Sequence, residues 1–138
     1  MRRATRRLTQ IYDYALEPTG LTSNQCAIFA YLRSTQASSS SALSIGAIAD
    51  RLGMDPSTLN GNLKPLAAKG LVRNVPDPAD GRGRIVRITE SGERSLLKAA
   101  PYWHRVRTQL EKAVGSQTAV ALNELLDDAA AKLRAAAL

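Results

Sequence analysis

The stretch that decides the fold is SIGAIADRLGMDPSTLNGNLKPLAAKGLVRNVPDPADGRGRIVRITESG, residues 44–92. Ile45, Ile48, Ala49 and Leu52 recur at helical spacing and stop at Gly53, which marks a short helix and a turn. Asp55 before Pro56 is an N-cap followed by a first-turn proline, so a second helix begins there. Leu59, Leu63 and Leu66 form its inner stripe and Gly70 closes it, giving a helix over 55–69. Residues 71–75 and 84–88 read as two strands, and PDPADGRG between them has turn chemistry throughout. Thr89 and Gly92 precede a new apolar pattern, the start of a long helix over about 90–114.

On the N-terminal side, residues 5–16 carry Leu8, Ile11, Tyr12, Ala15 and Leu16 on one helical face, and Pro18 and Gly20 end that helix. Thr22 or Ser23 caps the next, with Ile28, Phe29 and Leu32 inward. Residues 34–42, STQASSSSA, read as a flexible polar loop. On the C-terminal side, Leu96, Trp103 and Leu110 fall seven apart and offer a seam to a partner helix. Pro101 predicts a kink, and Gly115 with Ser116 breaks the chain before a last helix over 117–136 with Val120, Leu125, Leu126, Ala129 and Leu133. These stripes exceed what the central module could cover; they most simply pack against each other and against a second copy of the chain, which implies a homodimer.

The bulk numbers bound the function. The chain has 138 residues and 44% apolar content, enough for one domain with a moderate core. Its net charge of +7 raises the expectation of a polyanionic partner, although plain solubility also accounts for it. A single cysteine cannot form an internal disulfide, no apolar run reaches membrane-span length, and the N-terminus lacks a signal-peptide core. The expected location is the cytoplasm.

The segment from Ile45 has helix-turn-helix spacing: Ile48, Leu52 and Leu59 buried, Ala49 small where the helices touch, and Gly53 in the turn. Asn62 stands where the simple bacterial motif usually has an apolar residue, and Leu63 takes that role, which suits the longer turn of winged-helix proteins. The outward face of the second helix carries Ser57, Thr58, Asn60, Gly61, Asn62 and Lys64. Hydroxyls and amides donate and accept toward base edges, and Lys64 reaches a phosphate. A solvated helix face would show the same pattern. The hairpin tilts the balance: Arg82, Arg84 and Arg87 lie within six residues, with Arg73 on the facing strand. A flexible arginine-bearing tip suits a narrow minor groove, and Asp80 is placed to hold the Arg82 guanidinium in a bidentate pair.

The chain also resembles a known family. GLT at 20–22 with Gln25, LGMDPSTLNGNLKPLAAKGLV at 52–72, DPADGRGRIVRIT at 77–89 and ESG at 90–92 are similar to MarR-type transcriptional regulators, over about residues 5–136. The most specific piece is Asp80-x-Arg82 followed by Val86-x-Ile88-Thr89. The resemblance implies a mainly α fold with a small β-hairpin (α+β), a winged helix-turn-helix flanked by N- and C-terminal dimerisation helices. It implies one domain over 1–138, with a DNA-binding lobe at 36–90 and a dimerisation region at 1–35 and 91–138. It further implies a homodimer on a pseudo-palindromic double-stranded operator, acting as a repressor and released by a phenolic or lipophilic effector. The implied DNA contacts are Ser57, Thr58, Asn60, Asn62, Lys64, Arg73, Asp80, Arg82 and Arg84. Gly61 departs from the long polar or basic residue that relatives often place there, and it costs roughly 1 kcal/mol in a helix interior.

Candidates for an effector cleft are Tyr12, Cys26, Phe29, Tyr31 and Trp103, for each of which core packing is the competing reading. Cys26 as a redox sensor would need an accessible thiol of low pKa. One Cys and one His, His104, far apart make no metal site, and no cofactor loop or nucleophile–base pair points to an enzyme. The alternative class is a winged-helix protein-interaction module without DNA binding. Arg2, Arg3, Arg6 and Arg7 are either an arm that touches DNA or a solvated helix end.

Overall fold

Caps chosen by the sequence start most of the helices. The computed structural model describes residues 1–137, as α1 (Arg2–Leu16), α2 (Ser23–Thr35), α3 (Ile45–Leu52), α4 (Pro56–Ala68), β1 (Val72–Asp77), β2 (Asp80–Ile88), α5 (Glu90–Val114) and α6 (Ser116–Ala135). Thr22 caps α2 in a reciprocal box: its hydroxyl accepts the Gln25 N–H at 3.2 Å and the Gln25 side chain accepts the Thr22 N–H at 3.1 Å. Ser44 caps α3 by accepting the Ala47 N–H at 3.2 Å, and Gly53 ends that helix with φ +64°.

By internal contacts the chain divides into two units, Met1–Tyr102 and the part from Trp103 onward. The division falls just after Pro101, and α5 continues through that proline.

In the first unit, β1 and β2 form an antiparallel hairpin, and α2 packs on α3, α4 and β2. Ile28, Phe29, Leu32, Leu43, Ile48, Leu59, Leu66, Ile85 and Val86 are buried there. Thus α2, placed by resemblance in the dimerisation region, contributes to the core of the winged-helix lobe. The Gln25 amide also donates to the Asn62 carbonyl of α4 at 3.5 Å. The serine-rich segment is mostly exposed, but its end is tied down. It forms a 3-10 turn over Ser40–Leu43, with Leu43 buried and the Tyr31 hydroxyl donating to the Ala42 carbonyl at 2.8 Å.

The start of α5 is locked to the end of α4. Thr89 donates its N–H to the Leu71 carbonyl at 3.1 Å and its hydroxyl to the Gly70 carbonyl at 2.7 Å, and its oxygen accepts the Gly92 N–H at 3.1 Å. Gly92 is buried, and a Cβ there would collide with the Leu71 carbonyl oxygen.

In the second unit, α6 buries none of its residues. Val120, Leu122, Leu125, Leu126 and Leu133 are all about half exposed, between 46% and 68%. At 100° per residue, Leu122, Leu125, Leu126, Ala129 and Leu133 share one face, with Glu124, Asp127 and Asp128 opposite. No helix among the described residues is long and apolar enough to cross a membrane.

Candidate nucleic-acid interface

The outward side of α4 is built from its cap. The Asp55 carboxylate accepts the Ser57 hydroxyl at 2.5 Å, the Thr58 N–H at 2.9 Å and the Thr58 hydroxyl at 2.8 Å. The Ser57 hydroxyl first, then the Thr58 N–H and hydroxyl, lower the Asp55 pKa to about 2. The two hydroxyl protons are therefore committed inward, and toward a base edge Ser57 and Thr58 present acceptor lone pairs. Asn62 is half-buried and donates its amide to the Thr58 carbonyl at 2.9 Å, a bond back along the helix. Asn60 and Lys64 are exposed and make no internal side-chain bond among the described residues. Both line a shallow hollow of about 280 Å³ whose floor includes Leu63, Val72 and Val86. Of the α4 candidates, these two are the side chains free to reach outward with full bonding capacity.

Pro65 lies inside α4, which the sequence reading passed over. It removes the N–H that would bond the carbonyl four residues back, which is that of Gly61. A Cβ on Gly61 would meet nothing within 4 Å, so the room around that carbonyl does not by itself require a glycine.

The hairpin differs from the sequence reading in a way that matters for Arg82. The strands run on to Asp77 and restart at Asp80, so only Pro78 and Ala79 turn. The Asp77 carboxylate accepts the Ala79 N–H at 2.9 Å, which closes the reversal in two residues. Pairing places Pro76 opposite Arg84 and Asp77 opposite Asp80, so Gly81, Arg82 and Gly83 have no partner on β1. They form a bulge, and a bulge re-aims the side chain it carries. Arg82 thus stands on the shoulder of a braced hairpin and not on a flexible tip.

The bidentate pair between Asp80 and the Arg82 guanidinium does not form. The Asp80 carboxylate accepts the Arg82 backbone N–H at 3.1 Å instead, because two residues of separation bring that N–H within reach first. No ion pair or hydrogen bond among the described residues engages the Arg82 guanidinium, which is exposed. Arg84, by contrast, is anchored. It donates to the Asn74 side chain at 3.3 Å and to the Asn74 carbonyl at 2.9 Å. Arg73 pairs directly opposite Arg87, a like-charged cross-strand pair that is locally unfavourable until an anion lies against it.

The effector candidates scatter in their surroundings. Phe29 is fully buried and Cys26 nearly so, both in the lobe core. Burial first, and Asp13 second, push the Cys26 thiol up to about 11, so it stays protonated and is poorly suited to peroxide chemistry. Tyr31 is tied to Ala42, Tyr12 is half-buried on α1, and Trp103 is half-buried at the start of the second unit.

This lobe has known counterparts. The MarR family profile matches residues 19–83. The solved structure of the Mycobacterium tuberculosis transcriptional regulator MosR in complex with DNA is 33% identical, covering 94% of this chain and 92% of that one with a TM-score of 0.73. The chain belongs to the MarR family of transcriptional regulators. Two further MarR-like structures share the fold at lower identity. CouR from Rhodococcus jostii RHA1, bound to p-coumaroyl-CoA, is 23% identical, covers 94% and 87% of the two chains and has a TM-score of 0.78. Bordetella bronchiseptica BpsR, whose DNA binding is regulated by 6-hydroxynicotinic acid, is 24% identical, covers 92% of each chain and has a TM-score of 0.77. No curated protein matches the chain. The winged helix-turn-helix expected from the sequence is the fold observed, and the family assignment agrees with the resemblance.

Proposed function

We propose that this MarR-family regulator acts as a homodimeric, sequence-specific repressor with no catalytic role, working in the cytoplasm on a pseudo-palindromic operator. Asn60 and Lys64 of α4 read the major groove, Arg82 enters the flanking minor groove, and Arg73 and Arg84 follow the phosphates. Ser57, Thr58 and Asn62 accept or position from the start of α4, and Asp80 shapes the wing. The observation that carries this reading is one lobe that presents both two unengaged polar side chains on α4 and an unpaired, bulge-mounted arginine on the hairpin. The Arg73–Arg87 pair and the net charge of +7 favour the same polyanionic partner. The dimer reading is supported by the half-exposed leucine face of α6.

The test is selection of a duplex from a random pool, followed by affinity against salt. A log–log slope of about −4 or steeper is expected. Arg82→Ala should weaken binding while sedimentation still shows a dimer, and Asn60→Ala should blunt discrimination between operator variants by about 1–3 kcal/mol. A flat salt dependence would sink the reading. Leu125→Asp with Leu126→Asp should yield monomers, and an unchanged sedimentation coefficient would remove α6 from the interface.

A further inference from the structure

Gly81 and Gly83 flank Arg82 in the bulge, yet their surroundings differ. A Cβ on Gly81 would meet nothing within 4 Å. A Cβ on Gly83 would sit 3.3 Å from Asp80 Oδ2, 3.4 Å from Asp77 Cβ and 3.5 Å from Asp80 Cγ. The tight contact is the Asp80 carboxylate, the Asp77 Cβ lies at ordinary van der Waals distance, and the carboxylates of both residues are engaged. The Ser40 hydroxyl first, and the Ala79 N–H second, lower the Asp77 pKa, and Asp80 holds the Arg82 N–H. Asp80 Oδ2 would have to give by a few tenths of an ångström, and the other oxygen of the same carboxylate holds the Arg82 N–H.

We propose that Gly83 is a positioning residue for DNA contact: the absence of a side chain there lets Asp77 and Asp80 close around the bulge and sets the direction in which Arg82 projects. Gly83 itself needs no contact with DNA. Its backbone lies outside the left-handed region, so the demand for glycine comes from neighbouring atoms and not from φ. Asp80 has the three-residue bulge on one side and the two-residue turn on the other, so a displacement of Asp80 passes directly to the Arg82 N–H that it holds. This inference rests on the reading of Arg82 as a DNA contact.

The experiment measures affinity for the selected duplex by fluorescence anisotropy with the full-length chain. Wild type is compared with Gly81→Ala, Gly83→Ala, Arg82→Ala and Asp80→Ala, and with Gly83→Ala combined with each of the last two. Gly83→Ala should weaken binding about fivefold, on the scale of one disturbed hydrogen bond, with Gly81→Ala within about twofold of wild type. In the Arg82→Ala background, Gly83→Ala should add no further loss. Nor should it add loss with Asp80→Ala, where the crowding carboxylate is gone. Melting temperature and dimer mass measured on the same samples separate a mispositioned wing from a damaged fold. Wild-type affinity for Gly83→Ala overturns the inference, as does a loss that persists without Arg82. If Arg82→Ala binds like wild type, the wing-contact reading itself fails, whatever Gly83 does.

Discussion

Gly92→Ala tests how tightly the start of α5 is joined to the DNA-reading lobe. The added Cβ would lie 2.7 Å from Ile88 Cγ1 and 3.1 Å from the Leu71 carbonyl carbon, and closer still to its oxygen. Relaxed carbon contacts are about 3.5–4.0 Å, so the first turn of α5 must retreat by about 1 Å. That retreat carries the Thr89 bonds to Leu71 (3.1 Å) and Gly70 (2.7 Å) to the edge of hydrogen-bonding range or beyond. Two such bonds contribute about 1 kcal/mol each, and the overpacking against Ile88 adds about 1–3 kcal/mol. The expected cost is about 3–5 kcal/mol, or about 10–15 °C in melting temperature for a chain of this length. Far-UV circular dichroism melts at one fixed protomer concentration read this directly, since dimer stability depends on concentration. A loss below about 3 °C would refute the argument, because it would show that the α4–β1 corner and α5 separate at little cost.

Three further outcomes are expected. Gly61→Ala meets nothing within 4 Å and should stabilise the fold by about 0.5–1 kcal/mol, read by urea denaturation; a destabilised variant would show instead that Gly61 is needed to ease the backbone around Pro65. Cys26 should react with iodoacetamide at neutral pH much more slowly than a free thiol, until the protein is unfolded. Because its folded pKa of about 11 lies above the ordinary 9.0, stability should hold below pH 9 and fall as pH rises toward 11, and Cys26→Ala should lose that dependence. Asp55 shifts the other way: its folded pKa of about 2 lies below the ordinary 3.8, so its contribution is present above that value and disappears as pH falls toward 2. Melting temperature between pH 5 and 2.5 should therefore fall more steeply for wild type than for Asp55→Asn, and parallel curves would discount the cap.

How much could be read in advance depended on the range of the forces involved. Asp55, Pro56, Gly53 and Gly70 act within one helical turn, and Leu59, Leu63 and Leu66 repeat at helical period, so the two helices over 45–52 and 56–68 were legible from residues alone. The arginines of the hairpin and its two strands were legible for the same reason. The length of the strands was not. PDPADGRG is rich in turn formers, and local chemistry cannot tell a loop from a two-residue turn followed by a bulge. That choice depends on cross-strand pairing and on which N–H groups Asp77 and Asp80 capture.

The winged helix-turn-helix, its basic character and the apolar surplus of the outer helices can all be read from residue order alone. Those properties follow from side-chain type and period, which need no partner to be read. Which outward residues are available is a matter of tertiary packing. It tied Ser57 and Thr58 to Asp55, Asn62 to its own helix and Arg84 to Asn74, and left Asn60, Lys64 and Arg82 to face outward. It also placed Cys26 and Phe29 in the lobe core, and gave Gly83 a task that distinguishes it from Gly81. Hydrogen-bond competition and steric crowding are settled by atoms distant in the chain or turned by the backbone, and composition carries no record of those.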